Sequence, residues 1–277
     1  MLNISACLVI HDEEELLPRC LNSIKDVVTE IIVIHDGPCT DKSLAIAENF
    51  GAKTFTRPFI GEAEYHRPFS FKQATGEWVL QIDADEFLSE AARKEIPALT
   101  GKTGIDAYSF LWPYSVANTY IKAGPFSKTL KPCLFRKSKM FMIGISHEYP
   151  RTYGRLVKRA DILLEHRQSF DNYTVSAFKT KWINWVKLQA RQILNLEQAP
   201  VFNIDHLPTN LIYNYYVSMR KTPILSGLKD CLKFIVIYLI RGIFWSDFAS
   251  LRIAYFELRY LWLVRIYLEK LKHGQRI

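Results

Sequence analysis

Residues Val79-Leu80-Gln81-Ile82-Asp83-Ala84-Asp85-Glu86 form an apolar run that ends in three carboxylates. The apolar part reads as a buried strand. Packed negative charge at the end of such a strand requires something positive beside it. Strand side chains alternate faces, so Asp83 and Asp85 point the same way. Two carboxylates so placed suit a hard divalent cation with oxygen ligands, the usual companion of nucleotide phosphates. In open α/β sheets the ligand crevice lies outside the carboxyl ends of the strands, where this pair falls.

The elements that must hold these carboxylates follow from hydrophobic periodicity. Residues 2–10 read as a first strand, and a helix from about Glu14 to Ile24 carries Leu16, Leu17, Cys20, Leu21 and Ile24 on one face. Ile31 to Ile34 is a second buried strand, followed by a turn through Gly37 and Pro38. Asp41 is placed to cap a helix from Lys42 to Phe50, which Gly51 ends. Ala52 to Thr56 is a third strand, Pro68 to Ala74 a helix, and Trp78 to Ile82 a fourth strand. This β-α-β-α-β-α-β alternation predicts a parallel sheet covered by helices. Shorter strands follow at Ala107 to Tyr114, Thr129 to Phe135 and Ile162 to Glu165, which predicts a mixed second half of the sheet. From Ser176 onward the pattern is helical. The expected division is therefore a catalytic domain over 1–175 and a helical, basic, amphipathic extension over 176–277.

The 277 residues can bury a sizeable core. No early segment has the charged start, apolar middle and small-residue cleavage site of a signal peptide, so a cytoplasmic location is expected. Five scattered cysteines with no CxxC pair argue against a zinc ribbon and a disulfide framework. The net charge is +8, and residues 220–277 hold eleven Lys or Arg against four Asp or Glu. That tail is also aliphatic and aromatic, which points to an anionic membrane surface or to a cap packed on the catalytic domain. The interleaved apolar content and the absence of a recognisable motif argue against nucleic acid. Cys231 to Ile240 is strongly apolar apart from Lys233, but it is too short for a span of about 20 residues.

Five segments in order carry a family resemblance: Glu13-Glu14; Glu30 to Gly37 with Thr40-Asp41; Ala74 to Trp78; Asp83-Ala84-Asp85-Glu86; and Gly144-Ile145-Ser146-His147-Glu148. Together they resemble glycosyltransferase family 2, nucleotide-sugar enzymes with the GT-A fold, in the branch that builds bacterial lipopolysaccharide cores and surface glycans. The resemblance implies a Rossmann-like mixed sheet flanked by helices, with a helical C-terminal extension. It implies an inverting transfer of a sugar from a nucleoside diphosphate donor, UDP-linked by preference, to a lipid-linked or oligosaccharide acceptor at the inner face of the cytoplasmic membrane.

The resemblance also assigns roles. Asp36 accepts from a uracil N3–H, a bond only an acceptor can make. Glu13 and Arg67 serve the nucleotide, the guanidinium fork fitting diphosphate oxygens. Asp85 ligates Mg²⁺ or Mn²⁺ directly, Asp83 binds the ribose or reaches the metal through water, and His166 faces the metal or diphosphate. Glu148 is the base that deprotonates the acceptor hydroxyl, ranked above Glu86. Lys131 and Arg136 are candidates to counter phosphate charge. His35 stands where the family often has Asp, Asp12 where it often has Asn, and Pro68 where Asn is common. The tail segment Arg241-Gly242-Ile243-Phe244 is similar to the family's Arg-Gly-Phe element but continues Trp245-Ser246-Asp247.

Two other readings fit parts of the chain. A nucleotidyltransferase would share the sheet and a metal-binding Asp, but it needs a Gly-rich loop after the first strand, and His11 to Glu15 has no glycine. A catalytically inactive glycan- or membrane-binding module on the same fold would explain the changes at Asp12 and His35, but not the retention of Asp83, Asp85 and Glu148.

Overall fold

Every residue of the run Ile4–Ile10 is buried, and it forms the first strand, β1. The computed structural model describes residues 3–116, 119–168, 171–205, 207–242 and 246–277. After β1 come α1 (Leu17–Ile24), β2 (Glu30–Asp36), α2 (Ser43–Asn49), β3 (Lys53–Arg57), α3 (Ala63–Gln73), β4 (Trp78–Gln81), β5 (Glu86–Leu88) and α4 (Glu90–Thr100). Then follow β6 (Ala107–Leu111), β7 (Ser115–Val116), β8 (Thr119–Tyr120), β9 (Leu130–Arg136), β10 (Met140–Ile143), β11 (Arg151–Thr152) and β12 (Leu156–His166). The remainder is α5 (Val175–Ala177), α6 (Ile183–Leu194), β13 (Val201–Phe202), α7 (Leu211–Lys221), α8 (Pro223–Ile240) and α9 (Phe248–Lys272).

The main sheet has the order β3-β2-β1-β4-β9-β6-β12-β5. Strands β3, β2, β1 and β4 run parallel, β9 is antiparallel to both β4 and β6, and β12 is parallel to β6 and antiparallel to β5. The expected GT-A-type mixed sheet flanked by helices is therefore present. Apolar faces of α1 and α4 close one side over Leu8, Leu80 and Phe110, and α3 closes the other over Val9, Ile34 and Val79. Pro132 inside β9 falls where the β6–β9 register shifts, the kind of irregularity that tolerates a residue without an N–H. Gly51 ends α2 with φ +75°, the left-handed cap that glycine adopts without cost.

Helix α3 starts at Ala63, five residues before the expected Pro68. Proline usually opens helices, but here it lies inside one and frees the carbonyl of Glu64 four residues earlier. That carbonyl faces Gly144, where a Cβ would come within 3.0 Å of it. β12 is also longer than the expected Ile162 to Glu165.

The chain divides into two units. The first holds residues 1–112, 130–169 and 200–204, which include the main sheet; the second holds 113–129, 170–199 and 205–277, including the strand pair β7–β8 and α5 to α9. In the second unit, Asp247 caps α9 by accepting from the Ser250 N–H at 2.8 Å. Helix α8 packs on α9 and leaves Leu225, Leu228, Leu232, Val236, Leu239 and Ile240 exposed along one stripe. Lys229, Lys233 and Arg241 are exposed on the same segment. Among the described residues no helix is long and apolar enough to cross a membrane. Ile243, Phe244 and Trp245, part of the tail element singled out from the sequence, lie outside the described residues.

Candidate active site

β4 delivers its carboxylates at the edge of the core. Gln81 and Ile82 are buried, the Asp83 and Asp85 side chains are each 28 % exposed, and Glu86 is 1 % exposed as β5 begins. The positive charge they require comes from two distant elements. Asp83 Oδ1 accepts from an Arg67 Nη2–H at 2.8 Å, and Oδ2 accepts from Lys131 Nζ at 2.7 Å. Lys131 also donates to Glu86 Oε1 at 2.6 Å, and Glu86 Oε2 accepts the Asp83 N–H at 3.0 Å. Arg67 gives its other arm to Glu64 Oε1 at 3.0 Å, an i,i+3 pair on α3.

This network settles the ionisation of its members. Burial opposes the charge on Asp83, but Arg67 and Lys131 outweigh it and hold the carboxyl well below the usual range. Burial opposes the Lys131 ammonium too, and Asp83 and Glu86 outweigh it and push its pKa up. At Glu86 burial prevails over Lys131, with Asp83 and Asp85 adding to it, and the carboxyl is raised. Lys131 is thus a buried centre of the cluster and not a solvated strand residue. Arg136 lies elsewhere: it pairs with Glu77 and packs over the Trp78 ring at the opposite end of β4. Arg136 is therefore corrected from a candidate phosphate contact to a pair at the amino end of that strand.

Asp85 meets His166, whose Nε2 lies 3.1 Å from Asp85 Oδ2. His166 is the last residue of β12, in register with Glu86 of β5, and it stacks on Trp112 at 4.4 Å between ring centroids. The Arg167 N–H donates to the Asp85 carbonyl at 2.8 Å, which ties the end of β12 to the same turn. A carboxylate oxygen beside an imidazole nitrogen, both at the solvent edge of a buried network, is a donor set that a Mn²⁺- or Mg²⁺-like ion fits. Asp83 differs, since each of its oxygens already faces a cation.

Asp36 departs from expectation. Its Oδ1 accepts from the Ile60 N–H at 2.7 Å and from His66 Nε2 at 2.9 Å, and its Oδ2 accepts from the N–H groups of Gly61 at 2.8 Å and Glu62 at 3.2 Å. All four acceptor sites of a 3 % exposed carboxylate are filled by the chain itself. The expected bond to a uracil ring has no lone pair left to receive it, and Asp36 anchors the loop before α3. Burial opposes its charge, and His66 with the loop amides outweighs that and lowers the pKa. What this corner does present is aromatic surface. The exposed His11 ring lies 4.8 Å from Phe59 and 5.6 Å from His35. Glu13 is placed by its backbone, its N–H donating to Ser43 Oγ at 2.6 Å and its carbonyl accepting from Leu16 and Leu17 as α1 begins.

Glu148 is 8 % exposed, and its Oε1 accepts from Arg151 Nε at 2.9 Å and Nη2 at 2.8 Å. Its neighbours reach the cluster: Arg67 and Glu64 act on both His147 and Tyr149, and Lys131 also acts on Tyr149. His147 has φ +61°, which bends the loop between these groups. Arg67, Asp83, Asp85, Glu86 and His166 thus converge, the loop carrying Glu148 adjoins them through its flanking residues, and Asp36 and Glu13 lie at the ends of β2 and β1. Sequence reasoning missed Glu64, His66, Trp112 and Arg151. The three-residue spacings Glu64–Arg67 and Glu148–Arg151 were the legible signals among them.

A sequence model of glycosyl transferase family 2 matches residues 5–149, just over half of the chain. A TPR repeat-containing protein of Synechococcus elongatus is 33 % identical over 180 residues, 65 % of this chain and 41 % of its own length. The lipopolysaccharide core biosynthesis glycosyltransferase LpsC of Rhizobium meliloti is 29 % identical over 103 residues, 35 % of this chain and 37 % of its own. The chain therefore spans about two fifths of the length of these relatives. A crystal structure of S. aureus TarS 1-349 in complex with UDP-GlcNAc superposes with a TM-score of 0.48 at 17 % identity, covering 99 % of this chain and 93 % of that one.

Proposed function

This chain belongs to glycosyl transferase family 2, and on that footing we propose that it is an inverting enzyme moving a sugar from a nucleoside diphosphate donor, UDP-linked by preference, to a lipid-linked or surface saccharide. The observation that carries this reading is the convergence of Arg67, Asp83, Asp85, Glu86 and His166 at the carboxyl end of β4, beside the loop from Gly144 to Tyr149.

In this reading the donor lies across the ends of β1, β2 and β4. His11 and Phe59 offer ring faces to the base, and Asp36 shapes that pocket by fixing residues 60–62. Asp85 and His166 would hold a divalent cation, and it would supply charge neutralisation for the departing diphosphate. Arg67 and Lys131, already balanced by Asp83 and Glu86, keep the turn positioned while charge develops next to it. Glu148, oriented by Arg151, takes the proton from the acceptor hydroxyl as its oxygen attacks the anomeric carbon from the face opposite the leaving group, which inverts that centre. LpsC, a lipopolysaccharide core enzyme by name, supports a surface glycan as the first acceptor class to test. The exposed stripe of α8, flanked by Lys229, Lys233 and Arg241, supports a peripheral position on anionic lipid at the cytoplasmic face.

The test pairs ligand-induced thermal shift with turnover on a panel of nucleoside diphosphate sugars with Mn²⁺. One donor should raise the melting temperature, by mass action on the folded state. Glu148→Gln should keep that shift and lower kcat by roughly 10²- to 10⁴-fold, whereas Asp85→Ala should lose the metal-dependent shift itself. No shift with any donor would overturn the donor site and favour the inactive module, and Glu148→Gln with unchanged kcat would remove Glu148 as the base.

A further inference from the structure

We infer that the chain carries a second metal site of softer character, in which Asp12, His35, Cys39 and Asp41 bind one Zn²⁺-like ion in a tetrahedral shell. Each residue offers one ligand atom, and the four atoms all lie within 4.8 Å of one another. A tetrahedral zinc shell with bonds of about 2.0–2.3 Å separates its ligand atoms by roughly 3.3–3.8 Å. Two of the pairs are already there: His35 Nε2 is 3.3 Å from Asp12 Oδ1, and Cys39 Sγ is 3.4 Å from Asp41 Oδ1. The donor set of one sulfur, one imidazole nitrogen and two carboxylate oxygens selects zinc-type ions over Mg²⁺ and Mn²⁺, which have no affinity advantage at a thiolate.

His35 is fully buried at the end of β2, and its Nδ1–H donates to the Gly37 carbonyl at 2.8 Å. That bond fixes the tautomer and leaves Nε2 as the ring's acceptor, as in metal-bound histidines whose second nitrogen donates to a carbonyl, and an ion would displace the N–H that Nε2 now accepts. The partner Nε2 has in the structure is the Asp12 N–H at 3.2 Å. Both carboxylates are oriented from behind: Asp12 by the Thr40 N–H at 2.8 Å and by the Thr40 hydroxyl, Asp41 by the N–H groups of Ser43 at 2.8 Å and Glu14 at 2.9 Å. Asp12 is held at φ +50°, an uncommon conformation that aims its side chain across to β2.

The two carboxylates and a thiolate carry three negative charges against two on the ion, with the imidazole neutral. The Cys39 thiol gives up its proton to solvent on binding. The ion would tie the loop after β1 to the loop after β2. The site shares no residue with Asp83, Asp85, His166 or Glu148, although it adjoins His11, Glu13 and Asp36 at the ends of β1 and β2, and metal binding to it is read without any donor sugar.

The test is Co²⁺ titration of the chelator-stripped full chain with Mg²⁺ in excess to occupy the oxygen-rich site. One equivalent should produce a thiolate-to-cobalt charge-transfer band in the near ultraviolet with tetrahedral visible bands, and Zn²⁺ should bleach both. Cys39→Ser should abolish the charge-transfer band, Asp12→Asn should weaken Zn²⁺ binding at least tenfold, and Asp85→Ala and Cys231→Ser should leave the band intact. Circular dichroism establishes that each variant is folded. Absence of the band in the folded wild-type chain, its survival in Cys39→Ser, or its loss in Asp85→Ala would each overturn the site.

Discussion

β4 and β2 both run out of the core into aspartates, and the fold answers their charge by different means. At β4 the carboxylates of Asp83 and Glu86 are met by two side-chain cations, Lys131 from β9 and Arg67 from α3. At β2 the carboxylate of Asp36 is met by three backbone N–H groups ahead of α3 and one imidazole. The first solution gathers charge of both signs at a partly exposed turn, the place the proposed function assigns to the donor. The second consumes the carboxylate in holding a loop. An apolar strand ending in Asp therefore does not by itself mark a ligand contact. At these two turns the partners decide: side-chain cations leave a charged, partly exposed cluster, whereas backbone amides and an imidazole tie the carboxylate into a loop.

The largest effect should come from removing the shared cation. Lys131→Met takes the cation from buried Glu86 and one of two cations from the partly exposed Asp83, and the expected loss is about 3–5 kcal/mol by chemical denaturation, the cost of orphaning a buried charge. A loss below about 1 kcal/mol would mean that the turn relaxes into water and that the two strand ends are less different than their geometry. Asp36→Asn should cost less, about 1–3 kcal/mol, because the amide keeps one acceptor oxygen while its NH₂ opposes donors. This variant also has a pH signature. The folded pKa of Asp36 lies below its unfolded value of about 3.9, so its contribution is complete above about pH 4 and is lost as pH falls through the folded pKa. The stability gap between wild type and Asp36→Asn should narrow on acidification below pH 4, and a gap that widens there would reverse the assigned sign. The smallest effect, about 1 kcal/mol, is expected for His66→Leu, which removes one of four donors to Asp36 and leaves Arg57, its other partner, with access to water. Equal losses for His66→Leu and Asp36→Asn would show that the imidazole, and not the backbone amides, carries the anchor.

The β-α alternation, the four parallel strands and the carboxylates at the end of β4 were legible because each is a local matter. Burial along Ile4–Ile10 or Trp78–Gln81 appears directly as apolar residues in sequence, and the alternation of faces follows from backbone geometry. The start of α3 was not legible, because Pro68 is a local signal for a helix start that tertiary contact overrode: the carbonyl it frees is accommodated against Gly144. The site divides along the same line. That Asp83 and Asp85 share a face could be read from their spacing. That Asp83 would meet Arg67 and Lys131, 16 and 48 residues away, and that Asp36 would be filled by a loop 24 to 26 residues on, could not. Sequence thus determined which groups stand at the ends of the strands, since short-range periodicity places them there. Only the tertiary structure decided their partners, since a carboxylate takes whichever donors the packing of distant elements brings within about 3 Å.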